Sequence, residues 1–227
     1  MTLRNVRRAF AVAYPIMLGY VGIGIPCGIL ESKIGLDPAA CFLICVTFYS
    51  GAGQFMVPSM LMAGSGVASI IASVSFVNTR QMLYSAAFSP YFFGEGRLLT
   101  LLFSATVTDE SFGVNLSKFQ TDRTWSGADA LLVNVLSMLS WGVANAVGAA
   151  IGPLLQLSTA ATSFAMTSIF ICLLVGLRLD RPQAVAVVVA TAVVLVCKLV
   201  GLSEVAIFVG AVVGVCAGMA CKGRRTC

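Results

Sequence analysis

The chain has no histidine and few charges: only 10% of its 227 residues are Asp, Glu, Lys or Arg. Soluble domains carry about 25% charged residues, so this composition is not that of a water-facing surface. Without histidine, and with no second cysteine pair beside Cys41 and Cys45, a metal site is not expected. No cofactor is expected either. The chain contains no G-x-S-x-G and no Walker sequence, which argues against a membrane-embedded enzyme. An aspartyl reaction would need a second central carboxylate from another helix, and the sequence places none. Low-complexity stretches and linkers long enough to divide domains are also missing.

What is present is apolar. The chain is 59% hydrophobic, with a mean hydropathy of +0.97. A bilayer core takes roughly 20 apolar residues per helix. Eight apolar segments can be drawn, at 9–30, 38–63, 66–88, 98–117, 130–155, 161–177, 182–199 and 203–220. The expected fold is all-α: a polytopic transmembrane helical bundle forming one integral membrane domain over residues 1–227, with interrupted helices near the midplane.

The net charge of +5 does not point to nucleic acid, because of where the charge lies. Arg4, Arg7 and Arg8 precede the first apolar run, and Lys222, Arg224 and Arg225 follow the last. With both ends inside, Lys118, Arg123, Arg178 and Arg181 join them on the inner side. Ten of the fourteen basic residues then segregate there, the positive-inside pattern. The expectation is a multi-pass protein of the cell inner membrane with both termini cytoplasmic. The stretch 9–30 lacks a small-x-small cleavage site and reads as a first crossing, not a cleaved signal. Cys27, Cys41, Cys45, Cys172, Cys197 and Cys216 lie inside apolar runs and read as small hydrophobes.

Glycine spacing marks close helix contacts. Gly24 and Gly28 form one GxxxG pair, read as internal packing. Gly210, Gly214 and Gly218 form a double spacing in the last segment, which suits docking of a separate subunit.

Three ionisable residues sit near mid-membrane, where each costs about 2.5–3.5 kcal/mol on insertion scales. They are Arg80 in the third segment and Asp109 and Glu110 in the fourth, and Arg80 and Asp109 lie at similar depth. Two places read as interrupted helices. One is Gly51-Ala52-Gly53-Gln54, with Pro58 a turn later; peptide groups freed there must find partners in protein, water or substrate. The other is 75–80, because Asn78 and Arg80 lie about 200° apart on an ideal helix. Either that helix breaks or each residue faces a different neighbour. Thr106 is expected to share a helix face with Asp109 and Glu110.

These residues resemble the AzlC/YgaZ family, large subunits of two-component branched-chain amino-acid transporters. The likeness covers about residues 6–155. It rests on Gly51-Ala52-Gly53-Gln54, on Asn78-Thr79-Arg80 with Leu83-Tyr84-Ser85 and Pro90, and on Thr108-Asp109-Glu110. The family's Pro-Phe-Gly element is Pro26-Cys27-Gly28 here, and Phe112 and Gly113 follow Ser111 where the family often has an aromatic and alanine. The resemblance implies a secondary transporter exporting branched-chain amino acids on the proton gradient, with a small hydrophobic AzlD/YgaH-like membrane subunit as partner. Residue chemistry fits a zwitterionic substrate. Arg80, or amides at Gly51 and Gly53, would take its carboxylate; Asp109 or Glu110 would take its ammonium, with Gln54 and Asn78 completing the site. The coupling proton falls to a carboxyl, Glu110 ahead of Asp109. Rival readings are a transporter or channel for another small solute, and a non-transporting scaffold for the partner.

Overall fold

A computed structural model describes residues 3–155, 180–200 and 206–223, together with positions 164, 168 and 171. Among the described residues the regular structure is helical and there is no strand. The helices are α1 (Leu3–Ser32), α2 (Pro38–Thr47), α3 (Gly51–Met62), α4 (Val67–Phe88), α5 (Arg97–Thr106), α6 (Asp109–Thr121), α7 (Gly127–Ile151), α8 (Arg181–Leu199) and α9 (Ala206–Gly223). Short 3-10 turns, Ser89–Tyr91 and Gly152–Leu154, end α4 and α7. The chain packs as two units, residues 1–169 and 170–227.

Local chemistry sets the helix ends. Asp37 caps α2 by accepting the Ala40 N–H at 2.7 Å, with Pro38 in the first turn, where its missing N–H costs nothing. Reciprocal capping boxes open α6 at Thr108 and Ser111, and α7 at Ser126 and Asp129, satisfying the donors every helix start leaves over. Gly64 and Gly94 turn the chain at φ +76° and +90°, a region most side chains avoid.

Among the described residues, three stretches are long and apolar enough to cross a membrane: Asn5–Ser32, Gly127–Leu154 and Arg181–Leu199. The expected segments 38–63 and 98–117 each divide into two short helices. Helices of 10–13 residues are about 15–20 Å long, roughly half of a 30 Å hydrocarbon core. The segment expected at 161–177 lies, apart from isolated positions, outside the described residues.

In the first unit α7 is the centre. It packs along α1 and also meets α2 and α5. Gly24 and Gly28 of α1 and Gly148 of α7 make the first of these contacts possible. A Cβ on Gly28 would lie 1.9 Å from the Asn145 carbonyl oxygen, and one on Gly148 would lie 2.2 Å from that of Ile25. The GxxxG pair is therefore internal packing, as expected. Phe88, Phe92, Phe103, Phe112 and Phe119 tie the end of α4 to α5 and α6 through edge-on and tilted ring contacts.

In the second unit α8 and α9 pair through the other glycine stripe. Cβ atoms on Gly210, Gly214 and Gly218 would meet Val194, Ala190 and Ala186 of α8 at 2.4, 2.7 and 3.0 Å. The stripe approaches the preceding helix of its own chain, where the sequence expectation gives it to a separate subunit.

Candidate functional site

The site forms where two helices are broken. Between α2 and α3, Phe48 to Ser50 leave the helix, and Ser50 adopts an extended φ/ψ of −145°/99°. Its hydroxyl accepts the Gly53 N–H at 3.1 Å and donates to Asn78 Oδ1 of α4 at 2.6 Å. The Tyr49 carbonyl, freed by the break, accepts from Gln81 Nε2 at 3.2 Å. The first-turn amides of α3, Gly51 and Ala52 included, have no intrahelical acceptor and lie at the positive end of the helix dipole.

The second break lies between α5 and α6, where Val107 and Thr108 are extended. It places Asp109 and Glu110 in the first turn of α6, where the helix dipole favours negative charge. The sequence expectation of one continuous helix here is corrected. Thr106 ends α5 while Asp109 starts α6, so they do not share a helix face. Thr106 instead accepts from Asn134 Nδ2 at 3.3 Å, and Asn134 Oδ1 accepts from Asn115 Nδ2 at 3.0 Å. That buried amide chain joins α5, α6 and α7.

Helix α4 connects the two breaks. It is continuous through 67–88, so the interruption expected at 75–80 is absent. The other alternative holds: Asn78 meets Ser50 at the first break, and Arg80 meets Asp109 at the second. Arg80 Nη1 and Asp109 Oδ2 are 3.0 Å apart, each side chain 28% exposed. A turn on, the Tyr84 hydroxyl donates to Asp109 Oδ1. Within the run 75–80 the Thr79 hydroxyl donates to the Phe76 carbonyl at 2.7 Å, while Asn78 and Arg80 find their partners on other helices.

Aromatic residues close the other side. Tyr20 of α1 is buried; its hydroxyl donates to Glu110 Oε2 at 2.7 Å and hydrogen-bonds the Thr108 hydroxyl at 2.8 Å. Tyr20 packs edge-on against Trp141 of α7 with ring centroids 5.3 Å apart, and Trp141 Nε1 donates to Gln54 Oε1 of α3. Gln54 is buried, and its Nε2 has no partner. The residues form a circuit: Gln54, Trp141, Tyr20, Glu110, Asp109, Arg80, then along α4 to Asn78, and back through Ser50 to α3. Sequence reasoning had named Gly51, Gly53, Gln54, Asn78, Arg80, Asp109 and Glu110, all of which lie on or beside it. It missed Tyr20 and Trp141, which carry no local motif. Thr108 and Tyr84 stand in the sequence only within the family-like runs Thr108-Asp109-Glu110 and Leu83-Tyr84-Ser85.

Such a site can do recognition chemistry. A carboxylate is matched by the guanidinium and the α3 amides, an ammonium by the two acids. Among the described residues no cluster of metal-ligating side chains occurs.

The AzlC protein family profile matches residues 15–155, which spans both breaks and α7. The chain is 25% identical over 170 residues to the branched-chain amino acid transport protein AzlC of Bacillus subtilis, covering 74% of this chain and 66% of that one. It thus spans just under two thirds of that relative. It is 27% identical over 210 residues to the inner membrane protein YgaZ of Escherichia coli, covering 90% and 84%. An uncharacterized membrane protein of Helicobacter pylori is 28% identical over 172 residues, 75% of each chain. No solved structure matches the chain.

Proposed function

The chain belongs to the AzlC family, and from that premise we propose that it is a secondary transporter exporting branched-chain amino acids across the inner membrane, coupled to protons. One observation supports the reading most: the Arg80–Asp109 ion pair stands where the half-helix α6 begins, while Asn78 of the same α4 meets Ser50 at the start of the half-helix α3. Buried or half-buried pairs contribute little net stability against apolar replacements. Intramembrane charges are kept mostly for pathways and binding sites, and half-helix termini are how many secondary transporters hold charged substrate groups.

In this reading the substrate carboxylate competes with Asp109 for Arg80 and is also met by the α3 N-terminus. The ammonium takes the vacated carboxylate of Asp109, steadied by Tyr84. Gln54 and Asn78 lie at the α3 edge of the same site. Glu110, hydrogen-bonded to Tyr20, carries the coupling proton. Both termini face the cytoplasm, in accord with the basic residues there. The small AzlD/YgaH-like subunit is supported by the family resemblance alone, since the glycine stripe of α9 meets α8.

The test is counterflow of labelled leucine in proteoliposomes, with and without a co-expressed small membrane subunit. Leucine exchange is expected from the pair, with both Asp109→Asn and Arg80→Ala abolishing it while the protein still assembles. No exchange of any branched-chain amino acid by the intact pair, or full exchange by Asp109→Asn, would remove this reading. Uptake of labelled solutes of other classes would favour the alternative transporter.

A further inference from the structure

Among the described residues, two acids are nearly fully buried, Glu31 and Asp129, each 2% exposed. Asp129 is accounted for: Oδ2 accepts the Ser126 N–H and hydroxyl and lies 3.9 Å from Arg8. Glu31 is not. It sits in the last turn of α1, which holds no basic residue, and there the helix carbonyls disfavour negative charge. Its Oε1 faces the Cys27 thiol at 3.9 Å, and its Oε2 has no partner.

The side chains that face its carboxyl are thiols, and Lys33 follows two residues on in the turn after α1. Cys27 comes from α1 itself, and Cys41 of α2 faces the same carboxyl, with Cys45 a turn further along. From the end of α7 and the turn after it, residues 145–155 bring no titratable side chain. Asp37 is turned to the α2 N-terminus, where it accepts the Ala40 N–H. The ion pairs Arg8–Asp122, Arg8–Asp129 and Arg80–Asp109 do not involve Glu31. A carboxylate buried without a cation or a full set of donors is costly; a carboxylic acid, which carries its own proton, is what these surroundings suit. From Cys45, polar contacts lead inward: its thiol faces Gln54 Oε1 at 3.7 Å, on the circuit that ends at Glu110.

We propose that Glu31 is a second proton-binding carboxyl, loaded when the α1–α2 junction is closed around it and emptied when that junction admits water. The proposal rests on the transport reading above, deepening it by naming a proton site outside the substrate circuit. Nothing else changes in the step: one proton binds a carboxylate oxygen and later leaves it.

Two measurements test it. Infrared spectra of the purified full chain in lipid are expected to show a carboxylic-acid C=O band, shifted in D2O, that disappears in Glu31→Gln and survives in Glu110→Gln. In proteoliposomes with the small subunit, Glu31→Gln is expected to lose pH-driven leucine efflux while keeping equal-pH counterflow. Where Glu31→Gln does not fold, Glu31→Asp replaces it, and the expected result is a displaced band with weakened coupling. An unchanged band in the Glu31 variant overturns the proposal, as does a lost band with wild-type pH-driven efflux. Absence of counterflow in the wild type is the separate failure of the transport reading, and the infrared result does not depend on it.

Discussion

The Tyr20 hydroxyl of α1 donates to Glu110 Oε2 of α6 at 2.7 Å, across 90 residues of chain. The same hydroxyl touches Thr108, the cap of α6, so one side chain orders both the helix start and its acid. A hydrogen bond to a charged group contributes about 1.5–3 kcal/mol. Tyr20→Phe is expected to lower transport by on the order of tenfold or more, as that energy implies, with yield little changed. Wild-type initial rates in proteoliposomes would show that Glu110 needs no such orientation.

The α1–α7 contact predicts a sharp contrast between glycines of one helix. Gly28→Ala pushes a methyl against the Asn145 backbone, whereas a Cβ at Gly19 meets nothing within 4 Å. Overpacking of this kind typically costs about 1–3 kcal/mol. Thermal unfolding in detergent should fall for Gly28→Ala and hold or rise for Gly19→Ala, since alanine favours a helix by up to about 1 kcal/mol.

For the second unit, a cysteine pair decides what the α9 glycines touch. With native cysteines replaced, Ala186→Cys and Gly218→Cys are expected to form an intrachain disulfide, because a Cβ on Gly218 would lie 3.0 Å from that of Ala186 and disulfides join Cβ atoms about 3.5–4.5 Å apart. If oxidation instead links Gly218→Cys to a separate subunit, the stripe is a docking face after all.

At the α6–α7 loop the Thr124 hydroxyl and backbone N–H, at 2.8 and 3.0 Å, hold the Asp122 carboxyl below the usual carboxylate range, with Arg8 adding a smaller share. A depressed native value means that the stabilisation is present above the unfolded value of about 3.9 and is lost as pH falls through the native one. Asp122→Asn should flatten the acid limb of a stability-versus-pH curve by lowering stability at neutral pH, while stability at the acid end stays nearly unchanged. An unaltered acid limb would show that the loop contributes nothing there.

Topology is tested by labelling. In a background without native cysteines, Thr2→Cys and Thr226→Cys should react only with reagent on the cytoplasmic side, following the basic residues. Periplasmic labelling of either one breaks the even-crossing arrangement.

Composition and periodicity alone determined the solvent, the helical class and the residues whose charge is out of place in lipid. Those are properties of runs and types: 59% hydrophobic residues, the Gly51-to-Gln54 run that breaks 38–63, and Arg80, Asp109 and Glu110 within apolar segments. Tertiary structure alone decided what each feature meets. The Gly210 series carries the same small-residue signal whether the close neighbour is a second protein or α8, because the signal encodes distance and not identity. The polar stretch 75–80 stays helical because Ser50 and Asp109 arrive from other helices to satisfy Asn78 and Arg80. Glu31, charged by type and at the edge of an apolar run, resembled a loop acid; only the packing of α2 and α7 over the end of α1 made it a buried one.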